Sequence, residues 1–404
     1  MHLEESEEAA LAGEHGEIMQ MAYRILVATG EASDAERLIP IRWAHLSGVN
    51  YNTIGGAGEE FLRSISSRGA KVRIRTTLNP MGFDADSVER YGLGDEFVSG
   101  QASIAGSYEA MGVAQSFSCI PYEIFETPRD EQVAFAESNA AIYANSFAGA
   151  RTNKESAFSA LASAITGKSP YSDLRREEEE GGASNVTVRM SAKEPDELTY
   201  GMLGYFAGRE AGSASSVDIS GVSASAMDRR QCKAMCGGMG TSGTCAKFRF
   251  VKEEEGDGDA CGGGSGGRPE TVEFDDDAAR KVRDELDTAE NGDVIALGSP
   301  QLGLWEMSDL LERLRGRSFK KRCMVFCPRA VKEQARKLDY VRGLERAGCE
   351  VLADCCTCLS PLLGSDKVDA VTTNSIKGAF YMNNASGVGV DLKPLAKILE
   401  DETE

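Results

Sequence analysis

The most regular pattern of apolar and polar positions lies in the last third of the chain. Short apolar runs alternate there with segments whose apolar residues recur every three or four positions, which is typical of strands followed by helices. The predicted strands are 294–297, 323–326, 350–353 and 368–372, and the predicted helices are 307–314 and 330–347. Because this alternation produces parallel sheets, we expect a doubly wound αβ domain over residues 286–404.

The first part of the chain predicts an N-terminal αβ domain over residues 1–180. Its expected elements are a helix over 4–29 that ends at Gly30, a helix over 60–67, a strand over 71–76 and two closely packed helices within 131–166. A smaller middle αβ domain is predicted over 181–285. Charge repulsion and glycine entropy oppose packing in two acidic, glycine-containing segments, and we interpret them as loops. These segments are 175–184 and 253–270.

Polar and sulfur-containing side chains stand at the ends of the predicted strands in the last domain. Ser299 and Cys327 follow the first two strands, and Cys356 and Ser375 follow the next two. Parallel strands bring their carboxyl ends to one edge of the sheet, where ligands commonly bind. We therefore expect these four residues along one edge, facing Cys119 across a cleft.

The amino-acid composition disfavours several classes of partner and of metal site. Lys and Arg number 44 against 64 Asp and Glu, and the formal net charge of −20 disfavours binding to nucleic acid or to anionic membrane surfaces. No apolar run approaches the roughly 20 residues needed to span a bilayer, and the acidic N-terminus differs from a signal peptide, so we expect a cytoplasmic protein. Only three histidines are available for zinc, and 11 cysteines without an export signal favour reduced thiols or thiolate metal ligands.

Taken singly, several motifs have ordinary structural interpretations. Cys119 alone is typical of a core cysteine, and the glycine-rich segment 47–60 alone predicts a turn, since no P-loop lysine follows it. The sulfurs within 355–358 are too close together to bind one cluster without strain, so we expect one ligand among them. Three further cysteines between residues 232 and 245 match no zinc or cluster spacing, and we interpret them as thiols without a function.

Several longer strings together resemble the aconitase X family. The strings are Ala44-His45-Leu46-Ser47-Gly48-Val49-Asn50-Tyr51, Thr76-Thr77-Leu78-Asn79-Pro80-Met81-Gly82-Phe83-Asp84, Ser118-Cys119-Ile120-Pro121-Tyr122, Glu137-Ser138-Asn139-Ala140, 144–153 and Thr373-Asn374-Ser375. The likeness extends from about residue 5 to residue 400 and is weakest between 175 and 290. Several long motifs in one order are more specific than any single glycine loop.

The resemblance implies an aconitase-like α/β fold, with three αβ domains whose parallel or mixed sheets surround a cluster site, and without the swivelling domain. A small swivelling-domain subunit is therefore an implied partner, and it would bring the catalytic base. The implied activity is that of a hydro-lyase with a 4Fe-4S cluster, whose open iron acts as a Lewis acid on the substrate hydroxyl. The implied phosphorylated substrate is mevalonate 5-phosphate, dehydrated to anhydromevalonate 5-phosphate in an isoprenoid pathway. The sister branch of the family dehydrates cis-3-hydroxyproline.

By the same resemblance, two thiols would bind the cluster and eight residues would line the substrate. The thiols are those of Cys119 and Cys356. The substrate residues are Gly48, Val49, Asn50, Asn79, Pro80, Ser138, Asn139 and Ser375.

The third ligand position departs from the family pattern. Where relatives have Gly-Cys-Pro-His, this chain has Gly298-Ser299-Pro300-Gln301, so the resemblance assigns Ser299 to the third metal position. A nearby thiol is the alternative ligand, from Cys327, Cys355 or Cys358, and we expect Cys327 to be the best placed. A catalytically weakened scaffold subunit without a competent cluster is a further interpretation.

Overall fold

The computed structural model describes residues 1–176, 186–252 and 270–404, and these form three αβ units in chain order. The expected loops 175–184 and 253–270 fall almost entirely outside the described residues. Each unit carries one parallel sheet, and a separate antiparallel pair of strands makes the whole fold mixed, which confirms the predicted fold class. Among the described residues, every helix is too short or too polar to cross a membrane. The domain boundaries at 180 and 285 stay a prediction.

The first unit begins with two helices and contains a three-stranded sheet. Its elements are α1 (Glu5–Ala12), α2 (Glu17–Ala32), β1 (Leu38–Pro40), β2 (Trp43–Leu46), α3 (Tyr51–Ser67), β3 (Arg75–Leu78), α4 (Asp95–Ala110), α5 (Pro121–Ile124), β4 (Val133–Phe135), α6 (Ser138–Tyr143), α7 (Ala157–Thr166) and β5 (Lys168–Pro170). The sheet has the order β3-β2-β4 with parallel neighbours, while β1 pairs antiparallel with β5. Apolar side chains of the sheet, α2, α3, α4 and α7 form one buried core.

The middle unit contains a four-stranded parallel sheet in which two helices approach closely. Its elements are β6 (Val186–Met190), α8 (Glu197–Glu210), β7 (Ser216–Ser220), α9 (Arg229–Thr241), β8 (Lys247–Phe250), β9 (Glu270–Phe274) and α10 (Asp276–Leu286). The strand order is β8-β7-β6-β9. Side chains added at Gly204 of α8 or Gly238 of α9 would collide with the backbone of the facing helix, so glycine permits this close contact.

The third unit contains a five-stranded parallel sheet covered on both faces. Its elements are β10 (Val294–Leu297), α11 (Leu304–Leu314), β11 (Cys323–Cys327), α12 (Arg329–Lys337), α13 (Tyr340–Arg346), β12 (Cys349–Ala353), β13 (Ala370–Thr373), α14 (Ile376–Tyr381), β14 (Gly389–Leu392) and α15 (Leu395–Glu402). The strand order is β12-β11-β10-β13-β14. Successive side chains of a strand point to opposite faces. Val325 and Cys327 therefore join the core beneath α11, α12, α13 and α15, whereas Met324 and Phe326 join the core shared with the middle unit.

The first and third units share a strand order and an unusual helix ending. The strands β3-β2-β4 of one correspond to β11-β10-β13 of the other. After β4 and after β13 comes a six-residue helix that continues as a π-helical turn, over Ala144–Ala148 and Met382–Ser386. Each turn ends at a glycine with positive φ, 76° at Gly149 and 63° at Gly387, which glycine adopts without strain. The chain then runs parallel beside the preceding strand, as bridges within 151–154 and as β14.

A buried ion network, called the charge clamp here, joins the first unit to the third. Its members are Asp84, Arg329, Lys332 and Asp354. Asp84 is fully buried, and its carboxylate accepts hydrogen bonds from Lys332 Nζ at 2.6 Å, Arg329 Nη2 at 3.1 Å and the backbone N–H of Ala353 at 2.9 Å. Arg329 Nε also donates to Asp354 at 2.9 Å. The charge clamp therefore holds the first unit over the carboxyl edge of the five-stranded sheet.

Two of the predicted helices are interrupted in the structure. The helix expected over 4–29 is α1 and α2, because the chain turns between them at Gly13 and Gly16, with φ of 99° and 88°. Gly30 does not end α2 but is buried within it. The helix expected over 330–347 is α12 and α13, separated at Asp339 with φ of 62°.

Other elements of the first unit have different bounds from those predicted. The helix expected from residue 60 already begins at Tyr51, since the glycine-rich segment is helical apart from a break at Gly55. The strand expected over 71–76 is β3, shifted toward the carboxyl end. The region 131–166 begins with strand β4, and its helices α6 and α7 pack mainly against α9 and α2 instead of against each other.

Candidate active site

The buried thiol of Cys119 lies where the first unit meets the third. The side chain of Gln301 accepts a hydrogen bond from the backbone N–H of Cys119 at 3.1 Å, and the backbone N–H of Gln301 donates to Cys119 Sγ at 3.3 Å. From the other side, Asn139 Nδ2 donates to the carbonyl of Cys119 at 2.6 Å. Cys119 is therefore fixed against the loop that follows β10.

Three strands of the five-stranded sheet in the third unit end close to Cys119. The chain after β10, β12 and β13 leads directly to Ser299, Cys356 and Ser375. Ser375 is the N-cap of α14, where its Oγ accepts from the N–H of Gly378 at 2.8 Å and donates to the carbonyl of Ser299. Ser299 Oγ lies 2.9 Å from the sulfur of Cys358. Sequence-distant residues thus meet at the carboxyl edge of this sheet.

We call Cys119, Ser299, Cys356 and Cys358 the thiol site. The hydrogen bond with Cys358 and burial raise the pKa of the Cys356 thiol, and the Cys119 thiol adds to this rise. Burial raises the pKa of Cys119 to about 12 despite the opposing charge of Lys377. Burial would also raise the pKa of Cys358, but hydrogen bonds from Cys356 and Ser299 and the charge of Lys377 lower it to about 7.

A buried ion pair borders the thiol site. Lys377 Nζ donates to Glu137 Oε1 at 2.5 Å, and Asn79 Nδ2 donates to Glu137 Oε2 at 2.8 Å. Burial alone would raise the pKa of Glu137, but the Lys377 charge and these two hydrogen bonds outweigh it and hold the pKa below its ordinary value. Glu137 is therefore held as a carboxylate and is a weak base.

Hydrogen bonds link this ion pair to a neutral histidine. Asn79 Oδ1 lies 3.1 Å from His45 Nε2, and Thr77 Oγ1 lies 2.8 Å from His45 Nδ1. The amide oxygen can only accept, so Nε2 carries the proton and Nδ1 accepts from the threonine hydroxyl. Burial lowers the pKa of His45 to about 4, against the attraction of Glu137. The histidine thus orients Asn79 without adding charge to the site.

Several residues expected to line the substrate make contacts that hold the site together. Asn139 is fully buried and bonded to the Cys119 loop, and the hydroxyl of Ser375 is used by the cap of α14. Asn50 Nδ2 donates to the carbonyl of Leu359 at 3.1 Å, next to Cys358. The side chain of Val49 lies in the apolar core of the first unit.

The remaining substrate candidates lie at the accessible side of the same region. Gly48, Asn79, Pro80 and Ser138 are each partly exposed. Gly48 has φ of 74°, the left-handed conformation that favours glycine, and Asn79 is in contact with Glu137. Asn79 therefore places its amide at the ion pair, and Pro80 and Ser138 directly follow Asn79 and Glu137 in the chain.

Cys327 is not the best placed alternative ligand. It belongs to the core beneath α11, α12, α13 and α15, and its sulfur contacts the carbonyl of Leu352 at 3.7 Å. Cys355 belongs to the core shared with the middle unit. Cys358, by contrast, contacts Ser299. The reason is the direction of the loop after β12, which turns at Asp354 with φ of 64°.

The residue roles assigned from sequence missed the groups that support the thiol site. Glu137 and His45 occur in the matching strings, but no role was assigned to them. Lys377 lies in the first turn of α14, and no role was assigned to it either. Gln301 fills the position after Pro300, and its Nε2 donates to the carbonyls of Phe117 and Cys355 at 3.2 and 2.9 Å.

The donor set of the thiol site fits an iron-sulfur cluster. Within the described ranges, no three His, Cys, Asp or Glu side chains are arranged to hold a single metal ion. A cluster differs because each thiolate binds its own iron, so its ligands come from separated positions. Buried sulfur atoms from two separate units are soft donors, and the charge of Lys377 favours their thiolate forms.

Comparison with known proteins decides the family. Sequence profiles of the aconitase X first, second and third domains match residues 1–178, 184–284 and 292–404. The chain belongs to the aconitase X family. Among solved structures, the crystal structure of Thermococcus kodakaraensis aconitase X in its holo form is similar, with a TM-score of 0.88 and 32% identity over 100% of both chains.

Curated relatives in the aconitase X family have two different names. The phosphomevalonate dehydratase large subunit of Thermococcus kodakarensis is 34% identical, over 99% of this chain and 100% of that protein. The protein of the same name from Methanothermobacter thermautotrophicus is also 34% identical, over 96% and 95%. The cis-3-hydroxy-L-proline dehydratase of Hypocrea jecorina is 32% identical over 96% of this chain and 66% of that protein. Both names describe dehydratases.

Proposed function

We propose that this chain is the large, cluster-binding subunit of a hydro-lyase that converts mevalonate 5-phosphate into anhydromevalonate 5-phosphate. Relatives named phosphomevalonate dehydratase large subunit align with nearly its whole length. The observation that carries the proposal is the thiol site, where buried sulfur donors of two units meet beside Lys377 and Glu137. We assign Cys119 and Cys356 as cluster ligands, and the third ligand to the Ser299–Cys358 pair.

The reaction removes a hydroxyl and a neighbouring proton, forms a carbon–carbon double bond and releases water. An iron-sulfur cluster at the thiol site would supply a Lewis acid for the leaving hydroxyl. Glu137 cannot readily take the proton, because Lys377 keeps its pKa low. The proposal therefore assigns the base to a small partner subunit, in agreement with the large-subunit names of the relatives.

Positive charge near the site favours an anionic substrate over an uncharged one. Lys154 is half-buried, and its Nζ donates to the carbonyls of Gly240 and Gly243 at 3.5 and 2.5 Å. No carboxylate pairs with it in the part of the chain that the structure describes. Burial lowers the pKa of Lys154, and repulsion from Lys377 adds to this effect, while Cys245 and Glu137 oppose it. A phosphate or carboxylate would compensate this buried charge.

The test is turnover by the full chain combined with its small subunit. Mevalonate 5-phosphate and cis-3-hydroxy-L-proline are offered separately under anaerobic conditions, and formation of the dehydrated product is followed by mass spectrometry. Turnover of the phosphorylated substrate supports the proposal. Turnover of the proline derivative alone identifies the second candidate, which the relatives of that name favour. If the complex binds iron and sulfide but turns over neither substrate, the proposed function is wrong.

A lysine variant tests whether Lys154 binds the anionic group of the substrate. Lys154→Met should raise the KM for mevalonate 5-phosphate about tenfold or more, since the charge that faces the anion is lost, whereas Lys154→Arg should restore most of the affinity. The matched control is Lys71→Met. Lys71 also donates to a carbonyl, that of Ala110, but it is exposed. Equal effects of the Lys154 and Lys71 replacements would contradict a role of Lys154 in substrate binding.

A further inference from the structure

The loop after β12 directs one more sulfur toward the thiol site than the family pattern requires. Cys358 Sγ lies 2.9 Å from Ser299 Oγ and 3.9 Å from the carbonyl of Lys377. Its backbone carbonyl is in turn 3.5 Å from Cys356 Sγ. The side chain is partly exposed, unlike the fully buried Cys355 of the same loop. Cys358 therefore lies within one hydrogen-bond length of the hydroxyl at the third ligand position.

We propose that Cys358 is the third protein ligand of the cluster and that Ser299 is a hydrogen-bond donor to its sulfur. The loop after β12 then supplies two ligands, Cys356 and Cys358, in place of the single ligand expected within 355–358, because each thiolate binds its own iron. This inference rests on the proposed function. A thiolate is a soft ligand that suits iron-sulfur units, whereas a serine hydroxyl is harder and far less acidic. On binding, the S–H bond of Cys358 is replaced by an iron–sulfur bond, and one proton leaves to solvent.

The contact pattern of Ser299 supports this division of roles. The backbone carbonyl of Ser299 accepts a hydrogen bond from the Ser375 hydroxyl, and this bond fixes the loop after β10. The hydroxyl of Ser299 contacts only Cys358 among the described residues. A hydroxyl beside a thiolate donates a charge-assisted hydrogen bond, which stabilises the sulfur without replacing it. The sulfur and the hydroxyl thus come from two loops at the same sheet edge, one after β12 and one after β10.

The first experiment compares iron and acid-labile sulfide per chain after anaerobic reconstitution of the full chain. Cys358→Ala should retain at least fivefold less iron and sulfide than the unmodified chain. Ser299→Ala should lose no more than about half, because only a hydrogen bond to the ligand is removed. Cys355→Ala is the matched control, since this neighbouring thiol lies in the apolar core, and it should retain the iron of the unmodified chain.

A rescue variant separates loss of a ligand from loss of the fold. In Ser299→Cys/Cys358→Ala, the sulfur returns about one hydrogen-bond length from its original place, so iron and sulfide content and the electron paramagnetic resonance signal of the reduced cluster should recover. Full iron retention by Cys358→Ala, or a larger loss in Ser299→Ala than in Cys358→Ala, would overturn the assignment of Cys358 alone. Failure of the rescue would also count against it. An unmodified chain that binds neither iron nor sulfide would overturn the proposed function together with the ligand.

Discussion

The charge clamp and the thiol site both join the first unit to the third, but they are built differently. In the charge clamp, the Asp84 carboxylate accepts from two cations and from a backbone N–H, so its charge is satisfied on all sides. In the thiol site, hydroxyl and sulfur groups are close together, and burial raises the pKa of Cys119 to about 12. Complete pairing of the buried charges stabilises the contact between the two units. Incomplete pairing of the thiols leaves them available to bind a cofactor.

The largest expected effect is on the cofactor. Cys119→Ala should reduce iron and sulfide per chain at least tenfold and abolish turnover, because one of the assigned cluster ligands is removed. Thermal unfolding of the variant without iron should remain close to that of the unmodified chain, since Cys119 contributes only a small side chain to packing. Iron analysis and activity are the measurements. A variant that keeps its iron would contradict the assignment of Cys119 as a cluster ligand, and with it the difference between the thiol site and the charge clamp.

The charge clamp should respond in the opposite way. Asp84→Asn leaves Lys332 and Arg329 with one buried carboxylate fewer, so the free energy of unfolding should fall by about 3 to 5 kcal/mol. Iron per folded chain should change little. Asp86→Asn is the control, because Asp86 also binds Arg329 but is half exposed, and its loss should cost at most about 1 kcal/mol. Denaturant unfolding measures both. Equal losses in the two variants would show that burial of Asp84 does not matter.

His45 makes the stability of the region around the thiol site sensitive to acid. Its folded pKa of about 4 lies below the ordinary value of 6.5, so the unfolded chain takes up a proton first as the pH falls. Stability from this residue is present above about pH 6.5 and is lost toward pH 4, by on the order of 3 kcal/mol. Unfolding measured across this window should show a shallower pH dependence in His45→Gln. The exposed His15→Gln should behave like the unmodified chain, and identical slopes in all three proteins would contradict this account.

The smallest expected effect concerns Asn79. Asn79→Leu removes a hydrogen-bond donor from Glu137 and from the proposed substrate region, so substrate affinity should weaken by roughly 1 to 3 kcal/mol. Asn384→Leu is the control, because this exposed amide contacts only the carbonyl of Phe380 among the described residues. Steady-state kinetics with mevalonate 5-phosphate measures the effect. An unchanged KM and kcat in Asn79→Leu would show that Asn79 does not take part in substrate binding.

The edge strand β14 of the third unit was not predicted, but the other four strands of its sheet were predictable because they are buried on both faces. Such strands are continuous apolar runs, and β10 has the predicted bounds, while the other three predicted strands differ by one or two residues at their ends. Helix ends were less predictable. The breaks at Gly16 and Asp339 depend on positive φ values that apolar periodicity does not reveal.

The candidate site was predictable only as a list of motifs. The resemblance pointed to Cys119 and Cys356, and strand ends pointed to Ser299, but none of these patterns contains distances. The pairing of Glu137 with Lys377 joins residues 240 positions apart, and it follows from the way the units dock. The approach of Cys358 to Ser299 likewise depends on the turn after β12, which local sequence patterns do not specify.

The matching helix endings of the first and third units give the two sides of the thiol site a similar backbone. α6 and α14 have equal lengths, follow corresponding strands and precede π-helical turns of equal length. Their N-cap residues differ, with Glu137 in the first unit and Ser375 in the third. The Glu137 carboxylate binds Lys377 in the first turn of the other helix, whereas Ser375 holds the loop of Ser299. One N-cap therefore contributes charge to the contact between the units, and the other contributes rigidity.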